Sequence, residues 1–299
     1  MYAKYQCFNC ITKHSMDLLE KAYSEHNLDN PKIQKEIFEN YIKLIQTVAE
    51  TAVWGKKPVE LSLPVYDKLY EIFGKQDFYM AEKSTSNRLL LEMYDDLLQH
   101  CINSPDPIEE ALKISALGNF IDYGVKNSFG ELEWELQNLV KTKTLSINHT
   151  KNFIKDLKEA RSLLVIHDNA GEIVLDKVLI RIIKKIYPKL VVYSAVRSEP
   201  VINDVTMTDA QEINLKEVSI VIESGSKYPG TLLDNVNVAF KNIFDNADVI
   251  LSKGQGNFEG LNGVEKNIYF NFMAKCHPVA NAVGVKVGDV VFGKIRAHF

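Results

Sequence analysis

The chain has 299 residues, of which 46% are hydrophobic and 25% are charged, and its formal net charge at pH 7 is −4. This composition is ordinary for a soluble globular protein, and the length allows one large hydrophobic core or two modest ones. The small negative charge gives no reason to expect nucleic acid or an anionic membrane as a partner. No apolar run reaches the roughly 20 residues of a membrane-spanning helix.

The first ten residues and the cysteine count predict a cytoplasmic location. The segment MYAKYQCFNC lacks the apolar core of a secretory signal. Four cysteines in a chain of this length are too few for a disulfide scaffold, which favours a reducing compartment. The sequence gives no indication of the oligomeric state.

Helical patterns dominate the first half of the chain. Apolar residues recur at helical spacing from Ile33 to Ala52, and the segments 87–102 and 108–124 repeat this pattern. Two prolines separate these last two segments, and Ser104 or Asp106 is the expected cap of the second. Strand-like runs are scarce before residue 160.

The second half alternates short β-rich runs, such as SLLVI and DVILS, with helical patterns, of which Glu172 to Pro188 is the clearest. Such alternation predicts an α/β fold with a mainly parallel sheet covered on both faces. The tail AVGVKVGDVVFGKI predicts an exposed hairpin or an edge strand. We therefore expect a helical N-terminal portion over residues 1–150 and an α/β domain over residues 151–299.

Polar or glycine-containing segments follow each of the strand-like runs. HDNAGE follows the first run, and Arg197 with the segment NDVTMTDA follows the second. The later runs lead to SGSKYPG, SKGQGNFEG and AKCH. Because ligands bind beyond the carboxyl ends of the strands in open α/β sheets, this distribution predicts a ligand site at that edge.

The residue types in these segments favour a metal site for phosphoryl chemistry. Asp168, Asn169 and Asp204 offer hard oxygen donors, which suit Mg²⁺ or Mn²⁺ better than zinc. Three protein oxygens leave octahedral positions for water and a substrate phosphate. The helix that begins near Gly171 offers N–H groups to an anion. Three cations could complete a phosphate clamp: Arg197, Lys253 and Lys275.

Each of these features also has a simpler interpretation. An Asp-Asn pair after a strand is commonly a turn or a helix cap, and Arg197 could merely pair with Glu199 or Asp204. No GxxxxGK[ST] loop is present, and no GxGxxG follows the first strand. Ala170 stands two positions after Asp168, where a phospho-aspartate phosphatase would have an aspartate. The recurrence of suitable residues after successive strands favours a metal that activates water.

The cysteines predict a second, softer metal site. Cys7 and Cys10 have CxxC spacing with His14 nearby, and Cys276 could add a ligand if the two ends of the chain meet. Cys7, Cys10 and Cys276 are therefore the candidate ligands of a second metal. A thioredoxin-like redox role is less favoured because no strand precedes the CxxC. Cys101 falls in an apolar helical pattern and is expected in the core.

Four segments in this order resemble those of the metal-dependent damage-control phosphatases: HDNAGE, VRSEPVINDVTMTDA, SGSKYPGT and SKGQGNFEGL. ALGNFIDYG resembles that family too, and CFNC at Cys7–Cys10 resembles its CxxC branch. The match covers essentially the whole chain. The resemblance implies a helical N-terminal portion, a three-layer α/β/α core, and hydrolysis of small phosphate monoesters such as sugar phosphates, phosphopantetheine derivatives and nucleotides.

The resemblance also implies a cofactor and site residues. A divalent cation (Mg²⁺, Mn²⁺, Co²⁺ or Ni²⁺) is expected on Asp168, Asn169 and Asp204, and the lysine of the family's KG motif corresponds to Lys253. The expected catalytic residues are Asp168, Asp204 and Lys253, with Asp204 or Glu172 orienting or deprotonating water. From the residues and the resemblance together, the expected substrate-binding residues are Glu172, Arg197, Asp209, Gly254, Asn257 and Lys275. Asn119 and Asp122 could close over the site, although helix packing is the simpler interpretation of both. Another branch of the family carries an Arg-Thr-x-Lys motif near its C-terminus. Only the lysine of that motif is present here, as Lys275, so the substrate class of that branch is not inferred for this protein.

Two other functions are compatible with the sequence. A protein carboxyl methyltransferase dependent on S-adenosylmethionine, the description given to one branch of the family, would need a glycine-rich turn after the first strand, where only Gly171 is present. A non-catalytic sensor of a metal and a phosphometabolite would use the same ligands as a phosphatase. The favoured function is a cytoplasmic, metal-dependent phosphomonoester hydrolase whose partner is a small-molecule phosphate ester.

Overall fold

A computed structural model describes residues 2–24, 26–118 and 129–297 of the chain. Asn119 and Asp122, which we expect near the substrate, lie outside the described residues. Within those ranges, no helix combines the length and the apolar character that crossing a lipid bilayer requires.

The part of the chain before the sheet is helical. Its helices are α1 (Tyr5–Ala22), α2 (Pro31–Thr51), α3 (Pro58–Phe73), α4 (Met80–Glu92), α5 (Tyr94–Ile102), α6 (Pro107–Leu117) and α7 (Phe129–Thr142). Helix α6 begins at Pro107, and the side chain of Asp106 caps it by accepting the N–H of Glu109 at 3.1 Å. Of the two caps that the sequence suggested, Asp106 is therefore the one used.

A single seven-stranded sheet follows. Its strands are β1 (Leu145–Asn148), β2 (Ser162–Ile166), β3 (Val191–Val196), β4 (Ile220–Glu223), β5 (Val249–Lys253), β6 (Ile268–Met273) and β7 (Val290–Gly293). The helices among them are α8 (Thr150–Glu159), α9 (Glu172–Ile186), α10 (Met207–Glu212), α11 (Val238–Asn246), α12 (Gln255–Leu261) and α13 (His277–Val283). The spatial order is β1-β7-β6-β5-β2-β3-β4, and only the β6–β7 pair is antiparallel. The predicted α/β class with a mainly parallel sheet is confirmed.

Helices cover both faces of this sheet. Leu163 and Val165 of β2 join the core that contains α9, whereas Leu164 and Ile166 join the core that contains α11, α12 and α13. This alternation is the period-two pattern of a strand, and it gives the predicted three layers. Helix α9 is buried almost all round because α4, α5 and α6 pack on the side that faces away from the sheet.

The helices of the first half fall into two groups. Helices α1, α2 and α3 form their own hydrophobic cluster, to which Val201 and Tyr228 contribute. Residues of α4 to α7 instead belong to the core that they share with α9. A division of the chain at residue 150 stays a prediction, and the core shared by α4 to α9 extends across that position.

The tail of the chain departs from its sequence-based prediction. Instead of an exposed hairpin or an edge strand, it forms the single buried strand β7 between β6 and β1. Its outer neighbour β1 has only four residues, half of them exposed, and was not evident as a strand. Because the tail pairs with a segment far away in the chain, local patterning could not reveal that it lies inside the sheet.

Candidate active site

Two loops that follow β2 and β3 are joined through their backbones. The N–H of Val205 donates to the carbonyl of Asp168 at 2.8 Å, and Asn169 forms an antiparallel bridge with Asp204. The strand order reverses here, because β3 and β4 lie on one side of β2 and β5 and β6 on the other. Ligands of open α/β sheets bind at such a reversal. The structure therefore brings Asp168, Asn169 and Asp204 together at the expected edge.

The carboxylates of Asp168 and Asp204 are buried within electrostatic range of each other. Burial raises the pKa of Asp204 to about 6, with Arg197 opposing the rise and the charge of Asp168 adding to it. Burial likewise raises the pKa of Asp168, against the lowering effect of Lys275 and Arg197. The side-chain amide of Asn169 donates to Asp168 Oδ2 at 3.0 Å. Two buried carboxylates that repel each other beside an amide form a donor set suited to a hard divalent cation.

Gly254, the first residue after β5, lies directly against Asp168. Its φ of +77° is in the left-handed region, and a Cβ at this position would overlap the carboxylate of Asp168. Its N–H is held by the carbonyl of Asn271 at 3.1 Å. Because Gly254 has no side chain, the Asp168 carboxylate can lie directly against its Cα. This close packing is compatible with an aspartate that presents its oxygens to a cation.

Lys253 is fully buried, and all three of its ammonium donors have partners. Its Nζ donates to Glu172 Oε1 at 2.5 Å, to Asp176 Oδ1 at 2.7 Å and to the carbonyl of Ser115 at 3.0 Å. An ammonium group has three donors, so none remains for a phosphate. The expected direct contact between Lys253 and substrate does not fit this geometry, and the lysine instead holds Glu172 in place.

A buried polar network behind Lys253 was not anticipated from the sequence. Asp176 accepts a hydrogen bond from Ser115 Oγ at 2.6 Å and lies 2.7 Å from His167 Nδ1. Although burial opposes it, the charge of Lys253 and the contact with His167 lower the pKa of Asp176 to about 2. Burial raises the pKa of Glu172 to about 8, with Lys253 acting in the opposite direction. The available signal was the i, i+4 spacing of Glu172 and Asp176 on α9.

Arg197 is also buried, and each of its three side-chain nitrogens has a protein partner. Its Nε donates to Asp204 Oδ2 at 2.8 Å, and its two terminal nitrogens donate to Asn257 Oδ1 at 2.9 Å and Thr231 Oγ1 at 3.2 Å. Asn257 in turn donates to the carbonyl of Lys253 at 2.7 Å. Arg197 and Asn257, both expected to bind substrate, therefore tie together the ends of β3 and β5 and orient Asp204.

Two further groups that we expected to bind substrate or an anion, Asp209 and the N–H of Gly171, instead contact side chains of α4. Asp209 caps α10 by accepting the N–H of Thr206 at 2.8 Å, and it pairs with Lys83 at 2.7 Å. The N–H of Gly171, at the start of α9, donates to Asn87 Oδ1 at 2.7 Å. Helix α4 thus holds the loops of the site, and one of the donors expected to bind an anion is already used.

Lys275 keeps an exposed side chain, unlike Arg197 and Lys253. It lies just before α13, where its N–H donates to Gln255 Oε1 at 2.8 Å. Its positive charge is the largest single charge contribution that lowers the pKa of Asp168. Of the three predicted cations, Lys275 is therefore the one whose side chain is exposed and whose charge acts on Asp168.

Backbone strain lies two residues before Asp204. Ile202 has a φ of +47°, which is rare for a β-branched residue. The N–H of Asp204 donates to the carbonyl of Val201 at 2.8 Å, so the strained residue is enclosed in a tight turn. Strain of this kind persists where surrounding packing over-determines it, and it is common beside functional groups. The sequence carried no signal for it.

The cysteines of the candidate second site come from the two ends of the described chain. Cys7 and Cys10 lie on α1, and Cys276 lies at the start of α13; the charges of Cys276 and Cys10 both act on the thiol of Cys7. Across residues 2–24, 26–118 and 129–297, however, no three His, Cys, Asp or Glu side chains are close enough to hold a metal ion as a group. Cys101 is buried, as expected.

Comparison with known proteins gives consistent matches over almost the whole chain. Residues 3–291 match the family model described as the damage-control phosphatase ARMT1-like domain. An uncharacterized protein of Methanocaldococcus jannaschii is 32% identical over 97% of this chain and 95% of its own. A damage-control phosphatase of Pyrococcus horikoshii is 30% identical over 97% of both chains. A damage-control phosphatase of Archaeoglobus fulgidus is 31% identical over 92% of this chain and 95% of its own.

A solved structure shows the same architecture. The crystal structure of a DUF89 family protein from Pyrococcus horikoshii matches with a TM-score of 0.88 and 29% sequence identity, and the match covers 100% of both chains.

Proposed function

The chain belongs to the damage-control phosphatase ARMT1-like family, and from this premise we propose that it is a divalent-metal-dependent phosphatase of small metabolites. Its proposed substrates are phosphate monoesters such as sugar phosphates, phosphopantetheine derivatives or nucleotide monophosphates. The proposed cofactor is Mg²⁺, Mn²⁺, Co²⁺ or Ni²⁺. Its proposed location is the cytoplasm.

One observation carries the proposal: Asp168 and Asp204 bury two mutually repelling carboxylates beside Asn169 at the reversal of strand order. A pair of like charges in a buried site is unfavourable unless cations balance it. Arg197 pairs with Asp204, and a bound cation would balance the charge of Asp168. The donors are all oxygens, which fits a hard cation and not a thiophilic one. Gly254 supports this fit, because any larger residue there would displace the Asp168 carboxylate.

When bound, a divalent cation polarises the phosphoryl group and lowers the pKa of an attacking water. The protein's own residues position the reactants. Glu172, which is 3.5 Å from the amide of Asn169 and is held by Lys253, orients the water and accepts its proton. Lys275 binds the phosphate oxygens. The water oxygen forms a bond to phosphorus while the bond to the leaving oxygen breaks. The leaving oxygen takes up a proton from solvent and Glu172 returns its proton to solvent, so the products are inorganic phosphate and the alcohol.

The network around the site supplies rigidity. Arg197 pairs with Asp204, and Lys253 pairs with Glu172 and Asp176, so Asp204 and Glu172 are each held by a buried partner of opposite charge. Preorganised charges of this kind do not need to reorganise during the reaction, which is a large part of how enzymes lower barriers. Lys253 and Arg197 are therefore proposed as positioning residues.

The test uses the full-length protein and p-nitrophenyl phosphate. After treatment with EDTA the protein should show no turnover, and Mg²⁺, Mn²⁺, Co²⁺ or Ni²⁺ should restore it. A panel of phosphometabolites with the best metal then ranks leaving groups. Turnover that EDTA does not affect contradicts the metal proposal. Phosphate binding without turnover in any metal favours a sensor, and methyl transfer from S-adenosylmethionine favours the methyltransferase.

A further inference from the structure

The end of α6 lies directly against the first residue of α9. Gly118, the residue after α6, is buried, and a Cβ added to it would stand 2.9 Å from Cβ, 3.0 Å from Cα and 3.0 Å from Cγ of Glu172. Non-bonded carbon atoms make their best contact at about 3.5–4.0 Å. A side chain at position 118 therefore fits only if Glu172 or the end of α6 moves.

The same two helices are in contact again one turn away. Ser115 Oγ, three residues before Gly118, donates to Asp176 Oδ1 at 2.6 Å. Asp176 is four residues after Glu172 on α9. Residues three or four positions apart share one face of a helix, so these two contacts join one face of α6 to one face of α9. The contacts follow opposite orders along the two helices, so they fix the register of an antiparallel pair.

Lys253 holds the other end of Glu172. Its Nζ donates to Glu172 Oε1 at 2.5 Å and to the carbonyl of Ser115 at 3.0 Å. Glu172 is 0% exposed. Its backbone end therefore lies against Gly118, while its carboxylate is held by a lysine that also binds α6.

The backbone conformation does not require a glycine at position 118. Gly118 has a φ of −52° and a ψ of −27°, which is a helical conformation that any residue adopts. Glycine at the end of a helix also loses more conformational freedom on folding than alanine would. The feature of the described structure that calls for a glycine here is the close approach to Glu172.

We propose that Gly118 is a positioning residue for the reaction: its lack of a side chain sets the distance between α6 and α9 at Glu172. The inference rests on the proposed phosphatase function and deepens it, because Glu172 is the group proposed to accept the proton of the attacking water. A methyl group at position 118 displaces the first turn of α9. That turn is bonded to the metal site, since the N–H of Ile173 donates to the carbonyl of Asn169 at 3.2 Å.

The kinetic test compares Gly118→Ala with Gly130→Ala in the full-length protein. Gly130 is an exposed glycine of α7, and a Cβ added to it meets no atom within 4 Å. With p-nitrophenyl phosphate and the best metal, Gly118→Ala should lower kcat about 30- to 100-fold, since a misplacement of about 1 Å can have this effect. KM should change little because Lys275 is untouched, and Gly130→Ala should leave both constants unchanged. An unchanged kcat in folded Gly118→Ala overturns the proposal.

A double-mutant cycle separates the positioning of Glu172 from a general loosening of the site. If Gly118 acts through Glu172, adding Gly118→Ala to Glu172→Gln should lower kcat by less than about twofold, because coupled residues are not additive. The same fold loss in both backgrounds would show that Gly118 acts independently of the Glu172 carboxylate, and the proposal would be overturned.

A stability cycle gives a result that does not depend on turnover. Gly118→Ala should lower the midpoint of urea unfolding in the unmutated protein but not in Glu172→Gly, which lacks the Cβ and Cγ that the new methyl group meets. If Gly118→Ala does not fold, Gly118→Ala/Glu172→Gly should fold as well as Glu172→Gly alone. Equal losses in both backgrounds overturn the proposal. Absence of metal-dependent turnover in the unmutated protein contradicts the proposed function instead, and the stability cycle then decides whether Gly118 positions Glu172.

Discussion

The backbone of Asn169 pairs with the backbone of Asp204 in an antiparallel bridge, so the two halves of the candidate metal site are fixed to each other by main-chain atoms. The neighbouring hydrogen bond from Val205 N–H to the carbonyl of Asp168, at 2.8 Å, reinforces this arrangement. Because none of these bonds involves a side chain, the carboxylates can be changed without releasing the loops. Function and folding can therefore be separated by mutation at this site.

The first prediction follows from that separation. Asp168→Asn and Asp204→Asn should each lower kcat with p-nitrophenyl phosphate by about 100-fold or more, since each removes a charge that the cation requires. The melting temperature should not fall in Asp168→Asn, where a buried charge repulsion is relieved, but it should fall in Asp204→Asn, which leaves the buried Arg197 without its charge partner. Asp29→Asn, at an exposed position, is the control and should leave both quantities unchanged. Activity close to the unmutated level in both site variants would rule out these ligands.

The second prediction compares two glycines with positive φ. Gly254→Ala and Gly263→Ala should each cost about 1 kcal/mol of unfolding free energy, because both adopt a conformation that alanine resists. Only Gly254→Ala should lower kcat, by about 100-fold, because its Cβ displaces the Asp168 carboxylate, whereas a Cβ at Gly263 meets no atom within 4 Å. Urea unfolding and steady-state kinetics on both variants give the comparison. Equal kinetic effects would show that strain and not the overlap is responsible.

The third prediction separates two lysines of the predicted clamp. Lys253→Met leaves the buried carboxylates of Glu172 and Asp176 without their partner, so it should lower the unfolding free energy by about 3–5 kcal/mol. Lys275→Met should change stability by less than about 0.5 kcal/mol. It should raise KM about tenfold, which corresponds to about 1.4 kcal/mol of lost binding. A stable Lys253→Met protein with a raised KM would restore Lys253 as a direct phosphate ligand.

The fourth prediction concerns pH and the N-terminal helices. Burial lowers the pKa of His14, whose Nε2 lies 2.8 Å from the hydroxyl of Tyr66. The unfolded chain therefore binds a proton at this histidine more readily than the folded chain does. The contribution of His14 to the unfolding free energy should be complete above pH 6.5, the ordinary histidine value, and should be lost as the pH falls below it.

Urea titrations at a series of pH values measure this dependence. His14→Gln should remove the part of the slope that His14 contributes, whereas His100→Gln, at an exposed position on α5, should retain it. An unchanged slope in His14→Gln would mean that another group produces the pH dependence.

The fold class and the position of the site could be predicted from sequence because both depend on local patterns. Apolar runs of strand length predicted β2 to β6, and the segments after β2 and β3 predicted where Asp168 and Asp204 would lie. Parallel strands place their carboxyl ends at one edge whatever the details of packing. The convergence of these side chains therefore needed only the order of strands and turns.

The partners of the charged residues could not be predicted because they depend on long-range packing. Lys253 was read as a phosphate ligand, yet its side chain points to the α9 face of the sheet, the face that Leu251 also occupies two residues earlier. Strand alternation indicates that the side chain of Lys253 lies on this face, but only the structure shows that it meets Glu172 and Asp176 there. Asn87 and Lys83 reach the site from α4, and the sequence around these two residues gives no indication of these contacts.

The position of β7 has a consequence for the order in which the protein forms during synthesis. The ribosome delivers Leu145–Asn148 early, but β1 has no neighbour until Val290–Gly293 arrives to fill the gap beside β6. A nascent chain can complete β2 to β6, with the loops of the candidate site already in place, and still leave one border of its sheet uncovered. Translation that stops short of residue 290 would therefore yield a species with a bare edge on β6, and such edges promote aggregation.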